Sequence, residues 1–224
     1  YKIRQKVIDG KAHELSEGDT LYLGAATKAS SSKDRREQPY SDVPAKPRAF
    51  SFKASYMTYI LRNYVVTEGE KEDKIVKSKK VKDFERYVLG KIDKYKGEKD
   101  KDLFVEFFNC PNPKSKDKYS RLAYSILGVK TKNAEEFKKA NIEVKSLRVE
   151  ENGKIRESIS FPCFKIMDLI KQEWDDSDVN TYFSETKFLF IIYKRKGSNY
   201  YLQGAKFWNM PMTDIDGKLQ EEWR

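Results

Sequence analysis

The sequence predicts an α/β fold, a mixed central sheet flanked by helices, and three stretches carry that expectation. Residues 188–193 form an unbroken apolar run of strand length, the pattern of a strand covered on both faces. Residues 142–149 alternate polar and apolar side chains, so Glu143 and Lys145 project to one side while Ile142, Val144 and Leu147 are expected to face the core. Residues 118–127 place Leu122, Ile126 and Leu127 at helical spacing and stop at Gly128, which favours the left-handed conformation that ends helices.

The other elements are taken in chain order. Ile3, Val7 and Ile8 give residues 1–12 the end of a helix stopping near Gly10, and Gly18-Asp19 turns into a strand over 20–23. Residues 24–47 are poor in apolar side chains and read as a loop. Residues 50–53 alternate like a strand, and Ser55 is placed to cap a helix over 56–64. The lysine- and glutamate-dense residues 67–100 read as a connector with a short helix marked by Val81, Phe84, Val88 and Leu89. The aromatic run 103–108 is expected to pack onto the rest of a domain spanning 101–224. Asn133 caps a short helix over 134–140. Asn152-Gly153 makes a two-residue turn that returns 155–161 antiparallel to 142–149. Residues 164–174 read as a helix with Phe164, Met167, Leu169 and Ile170 in its apolar set, 175–178 as an acidic loop, 200–207 as a strand beside 188–193, and 218–224 as the start of a helix.

Composition narrows the function classes. Of 224 residues 38% are hydrophobic and 36% charged, as in a globular chain. No run has the apolar length of a membrane span and the first residues lack the pattern of a signal peptide, so a cytoplasmic protein without membrane contacts is expected. His13 is the single histidine and Cys110 and Cys163 the two cysteines, which argues against Ser-His-Asp, Cys-His and zinc chemistry and against a disulfide framework. The formal net charge is +10; residues 1–66 carry +5, 67–150 carry +6 and 151–224 carry −1. A one-sided excess of this kind fits a polyanion partner.

Four short words near the N-terminus are specific: residues 10–18 (GKAHELSEG), 21–24 (LYLG), Thr27-Lys28 and 48–61 (RAFSFKASYMTYIL). In this order they resemble the end of the first catalytic repeat in the two-repeat, GATC-cleaving type II restriction endonucleases of the staphylococcal kind, whose repeats each look like the mismatch-repair nicking enzyme MutH. Residues 118–224 resemble the same fold again. The resemblance implies three parts: 1–66 as the C-terminal part of the first repeat, 67–100 as a charged connector, and 101–224 as a second MutH-like repeat with a degenerate active site. The second repeat stops before supplying its own counterpart of the Lys28 loop. Residues 1–66 are therefore expected to pack on 101–224, within one chain or between chains.

The resemblance also assigns roles. Active members hold Mg²⁺ with a glutamate four residues before the glycine that ends the helix, an aspartate seven residues before a Glu-x-Lys pair, and the glutamate of that pair. Here Tyr124, Glu136 and Glu143-x-Lys145 stand at those places. A phenol stays protonated near neutral pH and is no anionic ligand. Glu136 is either a displaced ligand or, three residues after Asn133, the partner in a capping box. Glu143 and Lys145 are either catalytic or a surface ion pair.

The expected function is thus that of a DNA-binding effector for GATC that does not cleave by itself. Mg²⁺ would serve the full enzyme and not this chain, and the partners would be duplex DNA, the catalytic repeat of the same polypeptide and further copies on DNA. The alternatives are an active endonuclease using Glu136, Glu143 and Lys145, and a basic module for RNA or protein. Thr27 and Lys28 are expected to read base edges, with Arg48, Ser51 and Lys53 in the same site. Lys116, Lys118 and Arg121, with Lys114, suit phosphate contacts or an ordinary solvated helix start.

Overall fold

The computed structural model describes residues 1–29, 31, 33–66, 72–77, 81–130 and 134–223. Helix α1 (Lys2–Ile8) ends where Gly10 takes φ +71°, as its Ile3 and Val7 pattern requires. The expected strand at 20–23 begins later: a 3-10 turn at Glu17–Asp19, closed by a Ser16–Asp19 capping box, delays β1 to Leu23–Thr27. The expected 24–47 loop holds more order than its composition suggests. β2 (Arg36–Gln38) and β3 (Ser41–Ala45) pair antiparallel within it. β4 (Arg48–Phe52) pairs with β1 in register Leu23 to Phe52. α2 (Ala54–Ile60) continues as a π-helical turn over Leu61–Val65; its N-cap is Lys53, and Ser55 lies inside the helix rather than capping it.

α3 (Phe84–Asp93) buries Val88 and Ile92, and Asp83 caps it by accepting from the Arg86 N–H. The aromatic run at 103–108 belongs to a helix, α4 (Asp100–Phe108), which buries Leu103 and Phe104. α5 (Lys118–Leu127) ends at Gly128 with φ +82°. α6 (Glu135–Ala140) comes next with Ala134 as its cap, and the expected cap, Asn133, lies outside the described residues.

β5 (Ile142–Val149) does not gain the antiparallel partner expected from Asn152-Gly153. The turn forms, with the Glu150 N–H donating to the Lys154 carbonyl, but beyond the Val149–Ile155 bridge the chain departs. The expected 164–174 helix shrinks to one turn, α7 (Ile166–Leu169), with Phe164, Ile166, Met167 and Ile170 exposed. α8 (Asp178–Glu185), capped by Ser177, takes over the end of the expected acidic loop. β6 (Lys187–Lys196) and β7 (Asn199–Trp208) are antiparallel, and β5 pairs with β6 in parallel. The C-terminal helical segment starts earlier than residue 218, as α9 (Met212–Asp214), a π turn at Ile215–Leu219 and α10 (Gln220–Trp223); Arg224 lies outside the described residues.

The order β5-β6-β7 makes a mixed sheet with β6 central, as its apolar run requires. Leu189, Ile191 and Tyr193 pack under α3, α4 and α5 with Ile142 and Leu202; Phe188 faces Trp174, Phe183, Met212 and Ile215 on the other side. This is the mixed sheet flanked by helices that the sequence predicts. Leu147 has the parity of Glu143 and Lys145, so strand alternation sets it opposite Ile142 and Val144 and corrects its expected core position.

Residues 1–66 lie against this core within one chain. Ser55 Oγ donates to the Lys139 carbonyl, Lys46 Nζ pairs with Asp216 at 2.7 Å, and Asn209 Nδ2 donates to Ser16 Oγ at 3.1 Å. Lys187, 4% exposed, donates to Glu85 Oε1 at 2.7 Å and so ties the sheet to the connector helix.

Candidate functional site

The site grows from the parity of β5. With Ile142 and Val144 in the core, Glu143 and Lys145 emerge beside α8, and Lys145 Nζ stands 3.1 Å from Glu143 Oε2. The same oxygen accepts from the Tyr182 hydroxyl at 2.7 Å. Burial, and then that hydrogen bond to a carboxylate, push the Tyr182 phenol up from its ordinary value. Lys145 also donates to the Ser160 carbonyl at 3.0 Å and lies 5.5 Å over the Phe161 ring. The pair is therefore a connected element of the fold, tied to α8 and to the segment after β5. A cavity of about 270 Å³ beside it is lined by Asn141, Glu143, Asp178, Tyr182 and Glu185 among others.

Tyr124 is buried on α5 with its ring edge-on to Phe137, centroids 6.0 Å apart. Burial first, and the charge of Glu143 second, push its phenol up to about 12. The folded chain thus brings Tyr124 within the field of Glu143, where it remains a neutral group at physiological pH.

Glu136 has a different task from both roles expected of it. Its Oε2 accepts from the Ile75 N–H at 3.0 Å and its Oε1 from the Val76 N–H at 2.9 Å. The helix starts at Glu135, so Glu136 is its second residue and not the third that a capping box uses. The reason is tertiary. Ala134 is extended and bridges Asp73, and the connector laid alongside presents two amides to the carboxylate.

The residues present do not fit the magnesium site that the resemblance implies. Among the described residues no three His, Cys, Asp or Glu side chains converge as metal ligands. Both Glu136 oxygens are taken by backbone donors, Tyr124 is protonated, and Glu143 is answered by Tyr182 and Lys145.

The residues expected to meet DNA divide sharply. Lys28 is exposed just past β1, held by its N–H donating to the Pro47 carbonyl at 2.8 Å, and among the described residues its ammonium has no ion pair. Thr27 is exposed, but its hydroxyl accepts from Arg48 Nη1 at 2.9 Å, and Arg48 also donates to the Ala25 carbonyl, so Arg48 clamps β4 to β1. Burial lowers its guanidinium, and Asp216, Asp19 and Glu17 oppose that shift.

Two of the expected contacts point inward. Ser51 Oγ is buried against Gly24 with no hydrogen-bond partner among the described residues; a Cβ at Gly24 would stand 2.9 Å from it. Lys53 is 2% exposed and donates to the Ala140 carbonyl at 3.0 Å, which finishes the C-terminus of α6. Its ammonium is lowered to about 8, by burial first and then by the charge of Lys187, with Glu17 and Glu185 acting the other way.

At the start of α5, Lys116 is exposed, Lys118 donates to Asn112 Oδ1 at 3.0 Å while lying over Phe104, and Arg121 is exposed with its guanidinium 5.4 Å from the Phe108 centroid. These three can face a phosphate backbone. The cleft of about 570 Å³ between β1, β4 and α8 cannot do so as readily. Glu17, Asp175, Asp176 and Glu185 line it alongside Arg48, and burial raises the carboxyls of Glu17 and Glu185.

Sequence reasoning missed Tyr182, the partner of Glu143. Its signal was present: Asp178, Tyr182 and Glu185 recur at i, i+4 and i+7 after the cap Ser177, one polar face of a short helix.

With this geometry in hand, two comparisons with known proteins bear on it. Residues 127–217 match the family described as the DNA mismatch repair enzyme MutH. Along 247 aligned positions the chain is 39% identical to the type II restriction enzyme Sau3AI of Staphylococcus aureus, an alignment covering 99% of this chain and 48% of that protein. The chain thus spans about half the length of the curated relative it matches. No helix among the described residues is long and apolar enough to cross a membrane.

Proposed function

We propose that this chain, similar to MutH over residues 127–217 and to a type II restriction enzyme along 99% of its length, is a DNA-binding effector region that recognises GATC without cutting it. The observation that carries this reading is the fate of the acid positions around Glu143. One holds a buried phenol and the other a glutamate whose two oxygens fasten residues 75 and 76. With those two positions given to other tasks, Glu143 is left paired with Lys145 and hydrogen-bonded to Tyr182, a poor starting set for a hard divalent ion.

Duplex DNA is the partner that the +10 charge and the exposed cations support. In this reading Lys28 supplies the guanine contact, since O6 and N7 are both acceptors, with Thr27 beside it. Lys116, Lys118 and Arg121 position the backbone. Arg48 and Ser51 shape the ribbon that carries Lys28, and Lys53 anchors that ribbon to α6. The catalytic repeat of a longer polypeptide and further copies on DNA belong to the same proposal.

The test pairs binding with cleavage. The chain is titrated with GATC duplex, scrambled duplex and RNA, and the GATC duplex is then incubated with the chain and Mg²⁺. Preference for GATC with intact strands is expected. Strand cutting would overturn the effector reading, and equal affinity for all three ligands would overturn the specificity.

A further inference from the structure

β1 and β4 form a two-stranded antiparallel ribbon, and its register fixes what each face carries. Ala25 stands opposite Phe50, Thr27 opposite Arg48 and Leu23 opposite Phe52, so strand alternation puts Thr27 and Phe50 on the same face. Phe50 is 74% exposed. Its cross-strand neighbour Ala25 has a single methyl group to offer and is itself buried with Ala12, Leu15 and Ala45. Phe52 differs. It is 61% exposed, but its ring packs at 5.6 Å on Tyr56, which stacks on Tyr22 at 5.1 Å. Among the described residues no ring or cation engages Phe50 in this way.

A single exposed phenylalanine is ordinary on a protein surface; its place on this ribbon gives it meaning. The surroundings are basic. Lys28 follows Thr27 at the end of the ribbon, where its N–H donates to the Pro47 carbonyl, and Arg62 is exposed on the helical turn after α2. An uncovered ring among exposed cations suits a polyanion that also presents an apolar group. The major groove of DNA admits a two-stranded ribbon, and the one apolar group on its base edges is the thymine 5-methyl. A phenyl ring has neither donor nor acceptor, so the hydrogen-bonding atoms of those edges are closed to it.

We infer that Phe50 reads the 5-methyl group of a thymine in the GATC site, a base-specifying contact additional to Lys28 and Thr27. The inference rests on the reading of this chain as a GATC-binding region. The spacing agrees with it. Lys28 is held opposite Pro47, three residues from Phe50, or about 10 Å along a strand. The thymines occupy the two central pairs of the site, about 3.4 and about 7 Å along the axis from an outer guanine. The reach of a lysine side chain covers the difference.

The experiment uses the full chain and three duplexes: GATC, GAUC with deoxyuridine in place of both thymines, and a scrambled sequence. Deoxyuridine keeps every hydrogen-bonding atom of thymine and removes only the methyl group. Parent, Phe50→Ala and Phe52→Ala are titrated, with circular dichroism and melting to verify that the variants are folded. The parent is expected to bind GAUC about fourfold more weakly than GATC, the effect of one buried methyl. Phe50→Ala should bind the two equally, and Phe52→Ala should keep the parent's discrimination. A parent indifferent to deoxyuridine overturns the inference, as does a Phe50→Ala variant that still prefers GATC to GAUC. Loss of affinity for all duplexes in Phe50→Ala, with deoxyuridine without effect on the parent, would replace the methyl contact by a wedge between base steps. Unchanged DNA binding by Phe50→Ala would turn the ring away from DNA. A parent that prefers GATC to the scrambled duplex yet ignores deoxyuridine leaves the functional reading standing and sinks this inference alone; equal binding of all three duplexes sinks both.

Discussion

Replacing Tyr124 by glutamate asks most directly whether the place where the resemblance expects an acid is part of the core. Tyr124 is buried, packs on Phe137, and lies in the field of Glu143. Tyr124→Glu removes the aromatic contact, worth about 0.5–1.5 kcal/mol beyond burial, and strands a carboxyl beside a like charge. Burying an uncompensated charge costs about 3–5 kcal/mol. For a chain of this size a loss of that order lowers Tm by roughly 10 °C.

The sign with pH separates charge from packing. Burial and Glu143 would both raise the introduced carboxyl above its unfolded value near 4.3, so its cost is absent at low pH and grows as pH rises through that window. Tyr124→Phe, which keeps the ring and removes a hydroxyl, should stay within about 1 kcal/mol of the parent. Adding Mg²⁺ should raise the melting temperature of Tyr124→Glu alone, through binding to the paired acids, by an increment following the logarithm of ligand over Kd. The assay is thermal melting of parent, Tyr124→Phe and Tyr124→Glu on either side of neutrality, with and without Mg²⁺. If Tyr124→Glu melts with the parent above neutrality, the position is open to solvent and the reasoning fails. If the parent itself gains stability from Mg²⁺ and cuts GATC duplex, the non-cleaving reading fails with it.

Three further outcomes are expected. Lys53 has a folded value of about 8 against an ordinary value near 10.4, so between these the unfolded chain binds more protons and the fold gains up to about 3 kcal/mol as pH rises, with no gain below pH 8. Urea midpoints should reveal that rise in the parent and lack it in Lys53→Met; parallel curves would mean that Lys53 is solvated. Glu136→Gln keeps one oxygen and sets an amide N–H against a backbone donor, so it should cost about 1–3 kcal/mol and speed exchange of the Ile75 and Val76 amides, whereas unchanged exchange would remove the structural role given to Glu136. On DNA, Lys28→Ala should reduce GATC discrimination by about 1–3 kcal/mol, while Lys116→Ala should weaken all duplexes alike and lower the salt slope by about 0.9, and equal effects on specificity would refute the division.

Local patterns in the sequence were enough to locate β5, β6, β7 and α5, because side-chain periods of two and of about 3.6 residues and a helix-ending glycine act over neighbouring residues. The altered acid positions, Tyr124 and Glu136, came instead from the resemblance to the MutH-like endonucleases, counted from Gly128 and Glu143. What the local patterns did not contain is which distant segment completes each environment. The Asn152-Gly153 turn forms, but the returning chain bridges β5 only at Val149–Ile155, and the regular partner of β5 is β6 on its other edge, which local turn chemistry does not specify. Lys53 and Ser51 sit on a strand whose alternation was legible, but only the packing of residues 1–66 onto α6 and the Glu17 turn turned them inward. Glu136 was a plausible ligand and a plausible cap until residues 75 and 76, some 60 positions away, presented two amides to it. A backbone donor or a buried carbonyl has no signature in the sequence; it acquires a partner only when the chain folds, and that is where the role of each charged residue was decided.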